Sequence, residues 1–168
     1  MKYTSAEANK LLKTLQDELA TVRSLEEQGK EFIAAMGEDV ESVRPAYDFD
    51  ATQKAIDLID GKIRTVKHAI NMFNATTTVP DFDMTIDQML VYIPQLSRRK
   101  EKLEEMVRKL PKSRDNSYGR SSNYIEYRYL NYDVNKAKAE YDKISKLLTS
   151  AQMALDVVNT TLTMDINA

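Results

Sequence analysis

Three observations predict an all-α protein. Apolar residues recur at alternating steps of three and four over four long stretches, one helix-start device appears three times, and only four glycines and four prolines punctuate the chain. The architecture expected is a set of long antiparallel helical hairpins, or a four-helix coiled-coil-like bundle, with one short extended arm rich in tyrosine. At 168 residues and 42% hydrophobic the chain has material for one core, so residues 1–168 are read as a single helical domain.

The first helix is expected over about residues 5–36. Thr4 and Glu7 stand at capping-box spacing, in which the hydroxyl takes a first-turn N–H and the carboxylate reaches back to the cap. Behind them Ala8, Leu11, Leu15, Leu19, Val22, Leu25, Gly29, Phe32 and Met36 form one seam. Gly29 costs about 1 kcal/mol of helix propensity against Ala and reads as a bend, or as a place where another part of the chain comes close. Residues 37–50 lose the period around Arg44-Pro45 and read as an acidic surface connector.

Asp50 and Gln53 repeat the cap spacing and are expected to start a central helix over 51–74, carrying Ile56, Ile59, Ile63, Val66, Ile70 and Phe73. It runs into Asn74-Ala-Thr-Thr-Thr-Val79 and Pro80, where hydroxyls and a side-chain amide crowd a helix end that has unpaired carbonyls. Thr85 and Gln88 open a third helix over 86–110 with Met89, Ile93, Leu96, Leu103, Val107 and Leu110, kinked at Pro94. Residues 111–133 hold a polar loop and then the arm, where Ile125, Tyr127 and Tyr129 alternate with Glu126 and Arg128 as in an extended segment. Asp133 is the expected cap of a last helix over 134–158. Its heptad is the cleanest of the four: Val134, Ala137, Tyr141, Ile144, Leu148, Ala151, Leu155 and Val158.

Composition excludes several classes of function. A net charge of −2 gives no global field for extended nucleic acid, and the absence of cysteine removes thiolate metal sites, disulfides and thiol nucleophiles. No apolar run longer than Met89–Ile93 suggests a membrane span or leader, so a cytoplasmic protein without membrane partners is expected. His68, the single histidine, lies off its seam beside Lys62, Arg64 and Lys67, and no Glu-x-x-His or His-Glu-x-x-His spacing occurs. No cofactor, metal or catalytic residue is therefore expected.

What remains is a signal for anions and rings. Lys67, Arg98, Arg99, Arg114, Arg120 and Arg128 are suited to phosphate oxygens, Asn74, Thr76, Thr77 and Thr78 supply neutral donors, and Tyr124, Tyr127, Tyr129 and Tyr132 offer stacking faces. The competing reading is structural: tyrosines of an alternating arm cover a core or a subunit contact, and Arg98-Arg99 followed by Glu101, Glu104 and Glu105 is a solvated face.

The helix ending in Asn74-Ala-Thr-Thr, the Thr85-Ile-Asp-Gln helix start, the basic serine-bearing loop before Ile125-Glu126, the Asp133-Val134 entry and the terminal Asn159-Thr-Thr are similar to the septicolysin-like family of small all-helical bacterial proteins. That resemblance spans about residues 56–163 and implies a helical, oligomeric protein. Seams of this length also lead us to expect a homo-oligomer. The function expected is non-enzymatic binding of a small anionic, nucleotide-like ligand, to sequester or sense it. A scaffold or adaptor acting through its helices is the alternative, and an enzyme on a phosphorylated substrate ranks last because no general base is evident.

Overall fold

A computed structural model describes residues 1–114 and 126–167, and they are mainly helical. The chain divides into two compact units, Met1–Thr77 with Val157–Ala168, and Thr78–Asp156.

In the first unit, helix α1 (Ser5–Gly29) starts at the expected capping box: Glu7 N donates to Thr4 Oγ1 at 3.3 Å, and Thr4 N to Glu7 Oε2 at 2.8 Å. Helix α3 (Phe49–Thr76) packs against α1, and Ile59, Ile63, Val66 and Ile70 bury the predicted seam against Ala8, Leu15 and Leu19. Contacts of Glu26 with Gln53 and of Arg23 with Asp60 put the end of α1 beside the beginning of α3. The cap of α3 is Asp48 rather than Asp50, its carboxylate accepting from Ala51 N at 2.9 Å, so the helix begins ahead of the expected residue.

Two features of this unit depart from expectation. Strand β1 (Lys2–Thr4) pairs antiparallel with strand β6 (Thr163–Asp165), and Met164 and Ile166 enter the core, a ribbon that no local pattern announces. The first helix also stops at Gly29 instead of reaching Met36. Lys30 N closes the last turn on Glu26 O at 2.8 Å, and the chain leaves because Tyr47 returns onto Gly29: a Cβ there would lie 3.1 Å from Tyr47 Cβ. Close approach therefore explains the glycine. Beyond it Ile33 and Met36 are exposed, while Phe32 lies under the Arg44 guanidinium at 5.2 Å. The connector holds one short helix, α2 (Val40–Val43), capped by Asp39.

The second unit opens with strands β2 (Thr78–Val79) and β3 (Met84–Thr85), paired antiparallel around a turn in which Asp81 and Asp83 take positive φ. Aspartate tolerates that conformation better than most side chains. Thr85 then caps helix α4 (Ile86–Arg108) in a capping box with Gln88. The helix continues through Pro94, burying Ile86, Met89 and Leu96, and ends before Leu110, which is exposed.

After the ribbon described below, Asp133 Oδ1 accepts from Asn135 N at 2.8 Å and starts helix α5 (Val134–Thr161), of which residues up to Asp156 belong to this unit. Its heptad residues Ala137, Ile144, Leu148, Ala151 and Leu155 are buried, as predicted. Arg99 pairs with Glu140 at 2.5 Å and Lys100 lies 5.9 Å from the Tyr141 ring, joining the two long helices of the unit. None of the helices is long and apolar enough to cross a membrane among the described residues.

Candidate functional site

Strand β4 (Lys112–Arg114) pairs antiparallel with strand β5 (Tyr127–Tyr129) and makes the Tyr-rich arm a two-stranded ribbon. The register sets its chemistry. Lys112 is opposite Tyr129, Ser113 opposite Arg128, and Arg114 opposite Tyr127. Because side chains alternate across a strand, Lys112, Arg114, Tyr127 and Tyr129 share one face, and Ser113 and Arg128 the other. The Lys112 ammonium stands 4.1 Å from the Tyr127 ring centroid and 5.3 Å from that of Tyr129, so the rings and the cation hold one another in place. Both tyrosines stay open to solvent, at 48% and 63% exposure. Among the described residues neither Lys112 nor Arg114 forms an ion pair, which leaves two positive charges beside two π faces. Arrangements of this kind take phosphate or carboxylate by charge and a flat ring by stacking.

The other predicted residues have more local roles. Tyr132 is half-buried, and its hydroxyl donates to Met106 O at 2.8 Å, fixing the end of α4 to the entry of α5. Arg99 is committed to Glu140, and Arg98 Nε donates to Pro94 O at 3.3 Å, so this pair follows the structural reading. Lys67 and His68 are exposed on α3.

At the threonine corner, Thr76 Oγ1 donates back to Met72 O at 2.8 Å and Thr77 N to Phe73 O at 2.9 Å, closing the helix. Thr78 belongs to the second unit, paired with Thr85. Asn74 Oδ1, like Asn159 Oδ1, is buried without a hydrogen-bond partner among the described residues. Arg120 and Tyr124 lie outside the described residues. Thus the ribbon gathers Arg114, Tyr127, Arg128 and Tyr129 from the predicted set, while the corner mostly closes its own helix.

Lys112 was not singled out by sequence. It directly follows Pro111 and gains its meaning only from register, since the two strands are separated by residues 115–126. A second concavity was also unforeseen: a cleft of about 600 Å³ in the first unit, between the end of α1, the returning connector and the start of α3. There Glu26 Oε1 accepts from Gln53 Nε2 at 2.6 Å and from the Tyr47 hydroxyl at 3.3 Å. Burial, then the neighbouring Glu26 carboxylate, push the Tyr47 phenol above its ordinary pKa. Among the described residues no group of His, Cys, Asp and Glu is placed to hold a metal ion.

The fold has a solved relative. A functionally unknown conserved protein from Corynebacterium diphtheriae superposes with a TM-score of 0.61 over 98% of this chain and 100% of that one, at 16% identity. At that identity the likeness concerns fold alone. No family model and no curated protein matches the chain.

Proposed function

We propose that this protein is a non-enzymatic helical homo-oligomer that binds a small anionic, nucleotide-like ligand on the β4–β5 ribbon, for sequestration or sensing. The observation that carries the reading is the single ribbon face on which Lys112 and Arg114 flank the exposed rings of Tyr127 and Tyr129. A phosphate would take the two cations while a nucleobase stacks on a tyrosine, each stack worth roughly 1–3 kcal/mol. Membership of a septicolysin-like group and a bundle of long antiparallel hairpins belong to the same proposal. The helices of 25, 28, 23 and 28 residues support it, at about 35–42 Å each.

The test is a thermal-shift screen of the full chain against nucleotides and cyclic dinucleotides, with light scattering for mass. Selective binding to the folded state raises Tm, and Arg114→Ala or Tyr127→Ala should remove the rise, Arg114→Ala without lowering the ligand-free Tm. A second reading, a scaffold acting through its helices, draws on the exposed Leu90 and Val91 of α4. It replaces the first if no nucleotide shifts Tm while the same substitutions change the mass. Turnover of a bound nucleotide would instead favour an enzyme.

A further inference from the structure

The first unit's cleft lies in the most acidic part of the chain. Residues 26–50 carry eight carboxylates against two basic side chains, six net negative charges in a chain whose total is −2. Both bases are already engaged, Lys30 with Glu27 at 2.8 Å and Arg44 with Glu41 at 2.7 Å, and these partners hold both cations above their ordinary pKa. The excess negative charge is therefore not neutralised locally.

Much of the cleft wall is apolar, with Val22 and the 62%-exposed Leu25 on α1, Ala51 on α3 and Tyr47 seated on Gly29, and two carboxylates, Glu26 and Asp48, line it with them. Glu26 stands among them with Oε1 held by Tyr47 and Gln53, and among the described residues its Oε2 accepts no hydrogen bond. At about 600 Å³ the cleft is within the range that takes a ligand or a large side chain. The stretch that builds it also carries Ile33, Met36, Val40 and Phe49 exposed, more apolar surface than a small cation would cover.

We propose that this cleft docks a basic polypeptide segment of a partner protein, one apolar or aromatic side chain entering between α1 and the connector while flanking lysines or arginines meet Glu26 and Asp48 at its wall and the acidic stretch 26–50 that carries them. Charge complementarity selects the partner, and the buried anchor supplies most of the affinity. The docking surface is independent of the ribbon, which is basic.

The test is fluorescence polarisation of the full chain with a labelled synthetic peptide of alternating lysine and leucine around a central tryptophan. Binding in the micromolar range is expected, weakening steeply with salt. Replacing the peptide's tryptophan by alanine should weaken it about tenfold, and an acidic counterpart with glutamate for lysine should not bind. Ala51→Trp, at an exposed position on the cleft wall, should weaken binding to a similar degree. Leu25→Ala, which only shortens an exposed side chain, is the second probe should Ala51→Trp alter the circular dichroism. Glu26→Gln, which keeps an acceptor for Tyr47 and Gln53, should weaken it several-fold. Equal affinity for the peptide without tryptophan, or affinity unchanged by both wall substitutions, would overturn the proposal. So would self-association of the peptide-free chain that Ala51→Trp abolishes, since the occupant would then be a second copy.

Discussion

Val66→Ala is the sharpest measure of whether the α3 seam organises the first unit. Val66 is fully buried, among Ala8, Ile63, Ile70 and their neighbours in one cluster. Removing both γ-methyl groups, which leaves only Cβ, loses about two carbons of apolar burial, roughly 1.6 kcal/mol at about 0.8 per carbon. A void of about 40 Å³, if the helices do not close on it, adds up to ~1 kcal/mol. Alanine's better helix propensity offsets about 0.6. The expected loss is therefore about 1–2 kcal/mol, read as a lower urea midpoint with an unchanged slope in far-ultraviolet circular dichroism. Leu58→Ala is the control: it removes more carbon on the same helix, but Leu58 is 63% exposed, and less than about 0.5 kcal/mol should be lost. If Leu58→Ala cost as much as Val66→Ala, or Val66→Ala cost nothing, the seam would not be the packed face.

Other expectations follow from local geometry. Thr85→Ala removes the acceptor for Gln88 N at 3.3 Å and should cost about 1 kcal/mol in urea titration, and Thr85→Ser should restore most of it. Tyr132→Phe deletes the 2.8 Å bond to Met106 O, which keeps the Lys109 N–H at 3.4 Å, with an expected loss of about 1 kcal/mol. Backbone and side-chain hydrogen bonds from Thr4 lower the Glu7 pKa in the folded chain. Glu7 accordingly adds stability that is complete above its unfolded pKa and disappears as pH falls through the lower folded value. Stability measured across that acid window should fall less steeply for Glu7→Gln than for the parent chain.

Much of the helical framework is written locally. The capping pairs Thr4–Glu7 and Thr85–Gln88 work as spaced, because a hydroxyl and a carboxylate or amide three residues apart satisfy each other's backbone whatever lies further off. Likewise Ile59 to Ile70, and Ala137 to Val158 with the half-buried Tyr141 as the exception, are buried at the residues their period names. Periodicity misled where it was thin. Phe32 and Met36 continued the α1 repeat on paper, yet the helix ends at Gly29, where Tyr47 occupies the glycine's face; beyond it Met36 is exposed and Phe32 packs on Arg44 instead of the α1 seam. Arg98 and Arg99 read as a solvated face paired within their own helix, whereas Arg99 meets Glu140 on α5, forty-one residues away.

By itself the sequence determined the four long helices, most of their buried faces, the capping boxes at Thr4 and Thr85, and the supply of arginine and tyrosine in one arm, since each depends on residues within a turn or two of one another. Only the tertiary structure decided what pairs across distance. It set Lys112 beneath two tyrosine rings, joined Lys2–Thr4 to Thr163–Asp165, and folded Tyr47 onto Gly29 to make an acidic cleft. Those contacts join short segments that carry no repeat of their own, and their geometry comes from register and close approach, which a local pattern does not encode.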